Sequence, residues 1–415
     1  MLSIFKHRYL FNSIKYLALD RKKMAFISGP RQVGKTTLSK SFKEEFDEFI
    51  YKNWDESSFR KIWMRSPNSL QIEFSIEKPK LQKCLVLDEI HKSSLWKQKL
   101  KGLYDVLGQE LKFLVTGSAR LNIFKKGGDS LMGRFVNFRL HPLSYGEVIG
   151  LKTHAPDEWR DSLFRKSDFE YDPGPLLQLL KLSGFPEPYY ANSEKILRIW
   201  RMGRNEKIVK EDLRDLSRLP DLAKVEMLAT LLPEKVGSPL SVQSLREDLE
   251  VSHDTVTRWL NYLRDLFFFF EIKPWSKSIK RALKKEGKIY LYDWTEIPNQ
   301  GAKFENLVAA HLLKACHFWT DTGEGKFDLH YIRNKDKQEI DFLIVKDTKP
   351  WLCLEAKISD VQIDVKTTVK FLNQLKCPFV QIVLDDSVWK LEKISSDESP
   401  KMMVASATRV FAHLP

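Results

Sequence analysis

The sequence predicts an α/β protein whose N-terminal core is a parallel sheet flanked by helices. The run GPRQVGKT at 29–36 lies between a short apolar run and a helical pattern, as a strand–loop–helix unit would. A second apolar run, at 84–87, ends directly in two acidic residues. In the last third of the chain, one strand-like run at 339–345 contains Asp341, and another at 351–357 ends in an E-x-K triplet. These observations predict a phosphate-binding core followed by a second α/β domain.

The first run has the form G-x-x-x-x-G-K-[ST], which is typical of a loop that binds a nucleoside triphosphate. Glycines at both ends let backbone N–H groups turn toward phosphate oxygens, and Lys35 would contact the β- and γ-phosphates. Thr36 would supply a hydroxyl ligand for Mg²⁺. A chance glycine-rich turn is the alternative, which the flanking strand and helix disfavour. The predicted nucleotide-binding residues are Gly29, Pro30, Arg31, Gln32, Val33, Gly34, Lys35, Thr36 and Thr37.

The run at 84–87 predicts a strand that delivers Asp88 to the Mg²⁺ ion at its C-terminal end. Glu89 follows without a gap and is the better candidate to polarise the attacking water. A solvated loop is the alternative for two acidic residues at a strand end. The next predicted strand, 111–116, ends near Thr116 and Ser118, and either residue could sense the γ-phosphate.

Arg134 lies just before a fifth predicted strand at 135–140. At this position an arginine could reach the γ-phosphate bound by a neighbouring subunit. A local salt bridge explains the same residue equally well. Both interpretations, and with them a homo-oligomer, stay open.

Composition limits the classes of protein that fit. The 415 residues carry a formal net charge of +13, and such an excess favours a polyanionic partner such as nucleic acid. The four cysteines form no C-x-x-C pair, which suits a reducing compartment. No signal-peptide core and no apolar run of membrane-spanning length is found. We therefore expect a cytoplasmic protein without a membrane partner.

Four segments together resemble the AAA+-type prokaryotic ATPases that have a C-terminal DUF4143 region. They are GPRQVGKTT, VLDEIHKSSLWKQKLKGLYD, VTGSARL and SLMGRFVNFRLHPLSYGE. The resemblance implies an ATP-binding, Mg²⁺-dependent core with a five-stranded parallel sheet and a helical lid.

The middle of the chain predicts a helical lid and then a winged helix-turn-helix. Two short helices, with Ser241 and Ser252 as N-caps, precede an apolar strand at 266–272. The second of these helices would offer polar side chains to a DNA groove, namely His253, Asp254, Thr257, Arg258 and Asn261. A basic wing would follow, with Lys273, Lys277, Lys280, Arg281, Lys284, Lys285 and Lys288. Winged helices also mediate protein contacts, and Asp254 would repel phosphate.

The C-terminal domain resembles the PD-(D/E)XK nuclease fold, a restriction-endonuclease-like α/β architecture. Asp341 and Glu355 would hold a divalent metal near two adjacent strand ends, and Lys357 would orient or deprotonate a water. Glu305 would be the acid contributed by a helix predicted at 301–315. Many domains of this fold bind without cutting, so nuclease activity stays open.

The expected organisation is a P-loop ATPase core at 1–150, a helical lid at 151–221, a winged helix-turn-helix at 222–288 and a nuclease-like domain at 289–415. The expected function is Mg²⁺-dependent hydrolysis of ATP, coupled to binding of double-stranded DNA. The alternative is an ATP-dependent regulatory switch that binds protein partners and has no nuclease activity.

Overall fold

The structure, a computed structural model, describes residues 8–74, 81–117, 131–166, 169–208, 221–276, 286–360, 362–392 and 401–415. The chain divides into two compact units, Met1–His141 and Pro142–Pro415. Some residues discussed above lie outside the described ranges, namely Ser118, Lys277, Lys280, Arg281, Lys284 and Lys285.

Within its described residues, the first unit contains one sheet of five parallel strands. They are β1 (Met24–Ser28), β2 (Glu48–Asn53), β3 (Lys83–Asp88), β4 (Leu111–Gly117) and β5 (Phe135–Arg139). The helices of this unit are α1 (Phe11–Leu17), α2 (Lys35–Ser41), α3 (Ser57–Arg65) and α4 (Trp96–Leu107). All residues of β1 and β3 are buried, as expected for near-continuous apolar strands covered on both faces of a parallel sheet.

The strand order is β2-β3-β4-β1-β5, so β4 lies between the strand before the phosphate loop and the strand that ends in Asp88. All neighbours are parallel, with Asp88 in register with Thr116 and Ser28 in register with Gly117. The C-terminal ends of β1, β3 and β4 therefore meet at one edge. The α/β class and the parallel-sheet core predicted from the sequence are confirmed.

One face of this sheet packs on α3 and α4. Helix α4 buries Trp96, Leu100 and Leu103, whose spacing of three and four residues places them on one stripe. Trp63 of α3 and Phe113 of β4 belong to the same core. This packing holds the strands whose C-terminal ends carry the phosphate loop and the acidic residues.

The second unit begins with helices, as predicted for the middle of the chain. They are α5 (Tyr145–Val148), α6 (Pro156–Leu163), α7 (Gly174–Leu182), α8 (Pro186–Ala191), α9 (Glu194–Glu206), α10 (Leu222–Leu231), α11 (Val242–Leu249) and α12 (His253–Asp265). Ser241 and Ser252 do cap α11 and α12, since their side chains accept hydrogen bonds from the backbone N–H groups of Ser244 and Thr255. None of the helices in the described part of the chain is long and apolar enough to cross a bilayer.

A mixed sheet follows, in which the described residues form eight strands. They are β6 (Phe269–Pro274), β7 (Lys288–Leu291), β8 (Phe327–Arg333), β9 (Glu339–Lys346), β10 (Lys349–Lys357), β11 (Phe379–Val383), β12 (Trp389–Glu392) and β13 (Met402–Ser406). The order is β12-β13-β11-β10-β9-β8-β6-β7. Its helices are α13 (Gln300–Asp321), α14 (Val365–Leu375) and α15 (Ala407–Phe411).

In this sheet β8, β9 and β10 form an antiparallel meander, and β11 is parallel to β10. Strand β6 pairs with β7 and also, in parallel, with β8. The sheet therefore continues across residues 288 and 289, where the sequence predicted a domain limit. The four predicted domain ranges remain predictions.

Two element boundaries differ from the sequence-based prediction. The strand expected at 266–272 begins at Phe269, because α12 extends to Asp265 and Phe267 has the left-handed φ of 57°. The helix expected at 301–315 extends to Asp321, because Trp319 continues the buried stripe of Leu312 and Cys316.

Candidate functional site

The phosphate loop joins β1 to α2 and is described over its whole length. A Cβ atom at Gly29 would lie 2.2 Å from the backbone oxygen of Leu140, so no side chain fits there. Gly34 is the N-cap of α2 and has a φ of 97°, a left-handed conformation that favours glycine. Gln32 also has a positive φ, 62°. Local sterics therefore explain why the motif has glycine at positions 29 and 34.

Lys35 is 7% exposed and lies against the loop itself. Its Nζ donates hydrogen bonds to the carbonyl oxygens of Gly29, at 2.9 Å, and Pro30, at 2.7 Å. Arg8 holds the loop as well, since its Nη1 donates a hydrogen bond to the carbonyl oxygen of Val33 at 2.8 Å. The ammonium group is therefore placed at the loop where the motif would hold phosphates.

Asp88 accepts hydrogen bonds from three hydroxyl groups that belong to different elements. Thr36 of α2 and Tyr51 of β2 donate to Oδ2, at 2.7 Å and 2.6 Å. Thr116 of β4 donates to Oδ1. Asp88 is 3% exposed, so these contacts hold its carboxylate in one orientation at the sheet edge.

Thr36 and Asp88 suit a Mg²⁺ ion, because both present hard oxygen atoms and touch each other directly. Mg²⁺ bound with a nucleotide commonly uses only one or two protein ligands besides phosphate and water. The pair fits this requirement although the described residues contain no group of three histidine, cysteine or acidic side chains arranged around a metal position.

Glu89 has the left-handed φ of 56°, and its backbone N–H donates to the carbonyl oxygen of Thr116 at 2.9 Å. Its Oε2 lies 3.5 Å from Nε2 of His91. Burial raises the pKa of the Glu89 carboxyl, and the charge of Lys35 opposes that rise. A carboxylate with a raised pKa is a stronger base, as activation of water requires.

Arg134 forms an ion pair with Asp105 of α4, with Nε 2.8 Å from Oδ1. The guanidinium is 33% exposed. The local salt bridge considered from the sequence is thus present, and a role at a neighbouring subunit stays a prediction. Thr116 lies in the site through its bond to Asp88, whereas Ser118 is outside the described residues.

A second cluster of charged residues lies in the C-terminal sheet. We call it the acid–lysine cluster, and its members are Lys288, Glu305, Glu339, Asp341, Glu355 and Lys357. The four residues predicted from the sequence, Glu305, Asp341, Glu355 and Lys357, come from α13, β9 and β10. Lys288 of β7 lies within ion-pair distance of Glu305, Glu339 and Asp341.

Burial and neighbouring charges shift the pKa values of three side chains in this cluster. Burial, together with the charge of Asp341, raises the pKa of Glu305 to about 7. Burial also raises the pKa of Glu355, against the opposing effect of Lys357. For Lys288, burial disfavours the charged form, but the negative charges of Glu305, Asp341 and Glu339 outweigh it and raise its pKa.

The roles of the Tyr51 and Tyr290 hydroxyl groups and the burial of Lys288 were not predicted from the sequence. Lys288 was predicted only as part of a basic wing. Lys288 and Tyr290 are two residues apart on β7 and so lie on one face, which is the signal that could have indicated a shared site.

The exposed face of α12 carries the polar residues proposed to meet DNA. His253, Asp254, Arg258 and Asn261 are exposed, while Thr257 is half-buried and its hydroxyl donates to the carbonyl oxygen of His253. Lys273 is half-buried and pairs with Glu271. The described part of the proposed DNA surface is thus of mixed charge.

A phosphate loop after β1, an acidic strand end on β3 and an intervening β4 define the first unit as a P-loop AAA-type nucleoside triphosphatase fold. Comparison with family models agrees. Residues 21–149 match the AAA domain, 175–295 match a domain of unknown function, DUF8612, and 300–393 match a domain of unknown function, DUF4143. The chain therefore combines an AAA domain with a C-terminal DUF4143 domain.

Its relatives among curated proteins are described only as uncharacterised. One, from Haemophilus influenzae, is 24% identical over 366 residues, covering 83% of this chain and 84% of the relative. Another, from Mycobacterium tuberculosis, is 23% identical over 333 residues, covering 75% of this chain and 68% of the relative.

Two solved structures are also similar. The Aeropyrum pernix ORC1 protein in complex with DNA has a TM-score of 0.34 at 14% identity, covering 73% of this chain and 92% of that one. AMPPCP-bound DnaA from Aquifex aeolicus has a TM-score of 0.26 at 16% identity, covering 62% of this chain and 86% of that one.

Proposed function

We propose that the first unit binds ATP with Mg²⁺ and hydrolyses it. The observation that supports this most is the Asp88 carboxylate, which accepts hydrogen bonds from Thr36, Tyr51 and Thr116 and stands next to Glu89. A simple nucleotide-binding turn would have no need of an oriented, buried carboxylate followed by a second acid.

Each residue of the site has a separate role in the proposed hydrolysis of ATP. Lys35 exchanges its two loop carbonyl partners for the β- and γ-phosphates, and the loop N–H groups bind the remaining phosphate oxygens. Thr36 and Asp88 hold Mg²⁺, which supplies charge neutralisation at the phosphates. Glu89 orients the attacking water and accepts its proton. Thr116 keeps Asp88 in place between the two flanking strands.

Two variants test this proposal. Lys35→Ala should lose binding of a fluorescent ATP analogue, because the loop loses its charge on the phosphates. Glu89→Gln should keep nucleotide binding but release phosphate at least about 100-fold more slowly, as expected when a general base is removed. Glu56→Gln, an exposed acid in the same unit, is the matched control. Equal phosphate release by Glu89→Gln and the native protein would refute the assignment.

We also propose that Arg134 acts on ATP bound by a neighbouring copy. Arg134 precedes β5 directly, and its guanidinium is partly exposed beside Asp105. An Arg134→Ala protein should then be inactive alone and regain activity when mixed with an equal amount of Glu89→Gln protein, because mixed sites combine an intact base with an intact arginine. Additive rates without any gain on mixing would leave Arg134 with its local salt bridge only.

We further propose that the ATPase is coupled to double-stranded DNA through α12. The supporting observation is the order α11, α12 and the β6–β7 hairpin, with an exposed polar face on α12, in a chain of net charge +13. Arg258→Ala should weaken DNA binding and reduce the slope of log affinity against log salt by about 1. Arg198→Ala, whose side chain is 65% exposed on α9, is the control.

The alternative function is an ATP-dependent switch that binds protein partners. The fully exposed Asp254 at the start of α12 favours it, because a carboxylate there repels a DNA backbone. Under this alternative, DNA affinity would be weak, would not depend on Arg258 and would leave the ATPase rate unchanged. Measurement of ATP hydrolysis with and without duplex DNA, over a range of salt concentrations, separates the two functions.

A further inference from the structure

The acid–lysine cluster is organised around the ammonium group of Lys288. The Lys288 side chain is 3% exposed, and its Nζ lies 3.5 Å from Oε1 of Glu305 and 3.7 Å from Oδ1 of Asp341. The Lys288 ammonium also forms an ion pair with Glu339. One buried positive charge thus stands among three carboxylates that come from α13 and β9.

Other groups of the chain also contact the carboxylates of the cluster. The Tyr290 hydroxyl donates to Oε1 of Glu305 at 2.7 Å. The backbone N–H of Ala356 donates to Oδ2 of Asp341 at 3.1 Å. Lys357 pairs with Oε1 of Glu355 at 2.7 Å. Each carboxylate predicted to bind metal is therefore oriented by a cation or a donor of the protein itself.

A divalent ion does not fit this arrangement. Such an ion requires carboxylate oxygens that converge on one point at about 2.0 to 2.6 Å. The point on which Glu305 and Asp341 converge is taken by the Lys288 ammonium group, which has three donors and no lone pair to offer a metal. The third predicted ligand, Glu355, is paired with a second ammonium group, that of Lys357. Among the described residues, no three acidic, histidine or cysteine side chains are arranged to hold a metal ion.

We infer that Lys288 takes the place of the divalent cation in this nuclease-like site, so that the cluster is held together by an internal cation and binds no metal. Buried carboxylates require a counter-charge, and Lys288 of the edge strand β7 supplies it. A divalent ion could not occupy the point between Glu305 and Asp341 together with the Lys288 ammonium, because the repulsion between two cations at so short a distance is strong where water is scarce. The C-terminal domain then has no metal with which to activate water, and it does not cut nucleic acid by that route.

Binding of Mn²⁺ to the full-length chain without nucleotide tests the inference. Free Mn²⁺ is measured by its electron paramagnetic resonance signal during titration of five proteins: the native chain, Lys288→Met, Lys288→Arg, Glu355→Gln, and Lys288→Met combined with Glu305→Gln. We expect the native chain and Lys288→Arg to take up no Mn²⁺ at the cluster. Lys288→Met should bind Mn²⁺ at least about 100-fold more tightly, because its carboxylates have lost their counter-charge. Adding Glu305→Gln should abolish that gain, because Glu305 is one of the carboxylates that Lys288 contacts.

Three results would overturn the inference. The first is Mn²⁺ binding by the native chain that is lost on Glu355→Gln. The second is a folded Lys288→Met protein with no greater affinity for Mn²⁺ than the native chain. The third is Mn²⁺ binding by Lys288→Arg at the cluster. If Lys288→Met does not fold, comparison of the native chain with Glu355→Gln and Lys288→Arg still tests whether the native cluster binds Mn²⁺. Because nucleotide is omitted, the outcome is independent of the proposed ATPase activity.

Discussion

The hydroxyl of Tyr51 donates a hydrogen bond of 2.6 Å to Oδ2 of Asp88, the same oxygen that accepts from Thr36. Tyr51 lies on β2, the outermost strand on that side of the sheet. The ammonium of Lys40 lies 4.3 Å from the centre of the Tyr51 ring. Burial and the bond to Asp88 raise the pKa of the Tyr51 hydroxyl, so it remains a donor at ordinary pH. An edge strand thus orients the carboxylate expected to hold Mg²⁺.

Replacing Tyr51 by phenylalanine should raise the Mg²⁺ concentration needed for half-maximal ATP hydrolysis by about tenfold, the usual cost of losing a group that orients a metal ligand. Nucleotide binding without Mg²⁺ should change little, because Tyr51 acts through its hydrogen bond to Asp88, the proposed Mg²⁺ ligand. Tyr16→Phe, at a tyrosine that is 62% exposed, is the control. An unchanged Mg²⁺ dependence in Tyr51→Phe would show that Thr36 and Thr116 suffice.

The raised pKa of Glu89 predicts an acid limb in the rate of ATP hydrolysis. A general base works only when deprotonated, so a raised pKa means that activity is lost at a higher pH than for an ordinary glutamate. We expect kcat at saturating Mg²⁺ and ATP to fall as the pH decreases, with a midpoint above the pKa of an ordinary glutamate, about 4.3. The control Glu56→Gln should keep this limb. In Glu89→Gln the residual rate should be flat where the native rate falls, and a limb of the same midpoint there would assign it to another group.

The fold of the first unit could be predicted largely because its signals are local. The loop at Gly29 to Thr36 and the strand that ends in Asp88 are each readable within about ten residues, where apolar periodicity and glycine geometry decide the outcome. The family resemblance then implied the five-stranded sheet. Tyr51 was missed because its role depends on which strand neighbours β3, and strand order is not encoded by local pattern.

The C-terminal unit shows the same limit more clearly. Glu305, Asp341, Glu355 and Lys357 were predicted as one group, and the structure brings them together with a further lysine. Lys288 was assigned to a basic surface because its neighbours along the chain are basic. Its actual environment arises from the pairing of β6 with both β7 and β8, which joins segments that are distant in sequence. Strands β12 and β13 were not predicted at all.

The two glycines Gly29 and Gly102 predict opposite effects of substitution by alanine. At Gly29 the new Cβ would lie 2.2 Å from a backbone oxygen, which cannot move cheaply, so Gly29→Ala should destabilise the first unit by about 3 kcal/mol and abolish ATP binding. Gly102 is exposed within α4 and has no atom near its Cβ position, so Gly102→Ala should stabilise by about 1 kcal/mol. Urea unfolding measures both. A tolerated Gly29→Ala would contradict the close approach of Leu140.

His311 of α13 is buried and held as a neutral ring by two backbone groups. Its Nδ1 pairs with the carbonyl oxygen of Leu307 at 2.8 Å, and its Nε2 accepts from the N–H of Tyr145 at 3.0 Å. The ring also stacks on Phe411, with centroids 4.3 Å apart. Because Nε2 is an acceptor, protonation would break the bond to Tyr145. Burial lowers the pKa of His311 to about 3, and the nearby charge of Lys314 acts in the same direction.

This depressed pKa predicts that the second unit loses stability in mild acid. The unfolded chain binds a proton at His311 below about pH 6.5 and the folded chain does not, so stability is full above that pH and falls as pH decreases. One such group costs about 1.4 kcal/mol per pH unit, or about 2 kcal/mol between pH 6.5 and pH 5. His311→Gln keeps an acceptor for Tyr145 but cannot titrate, so its urea midpoint, read by pulse proteolysis of the second unit, should depend less on pH. The exposed His253→Gln should behave as the native chain does. If His311→Gln and the native chain lose stability equally over this range, other groups govern the acid response.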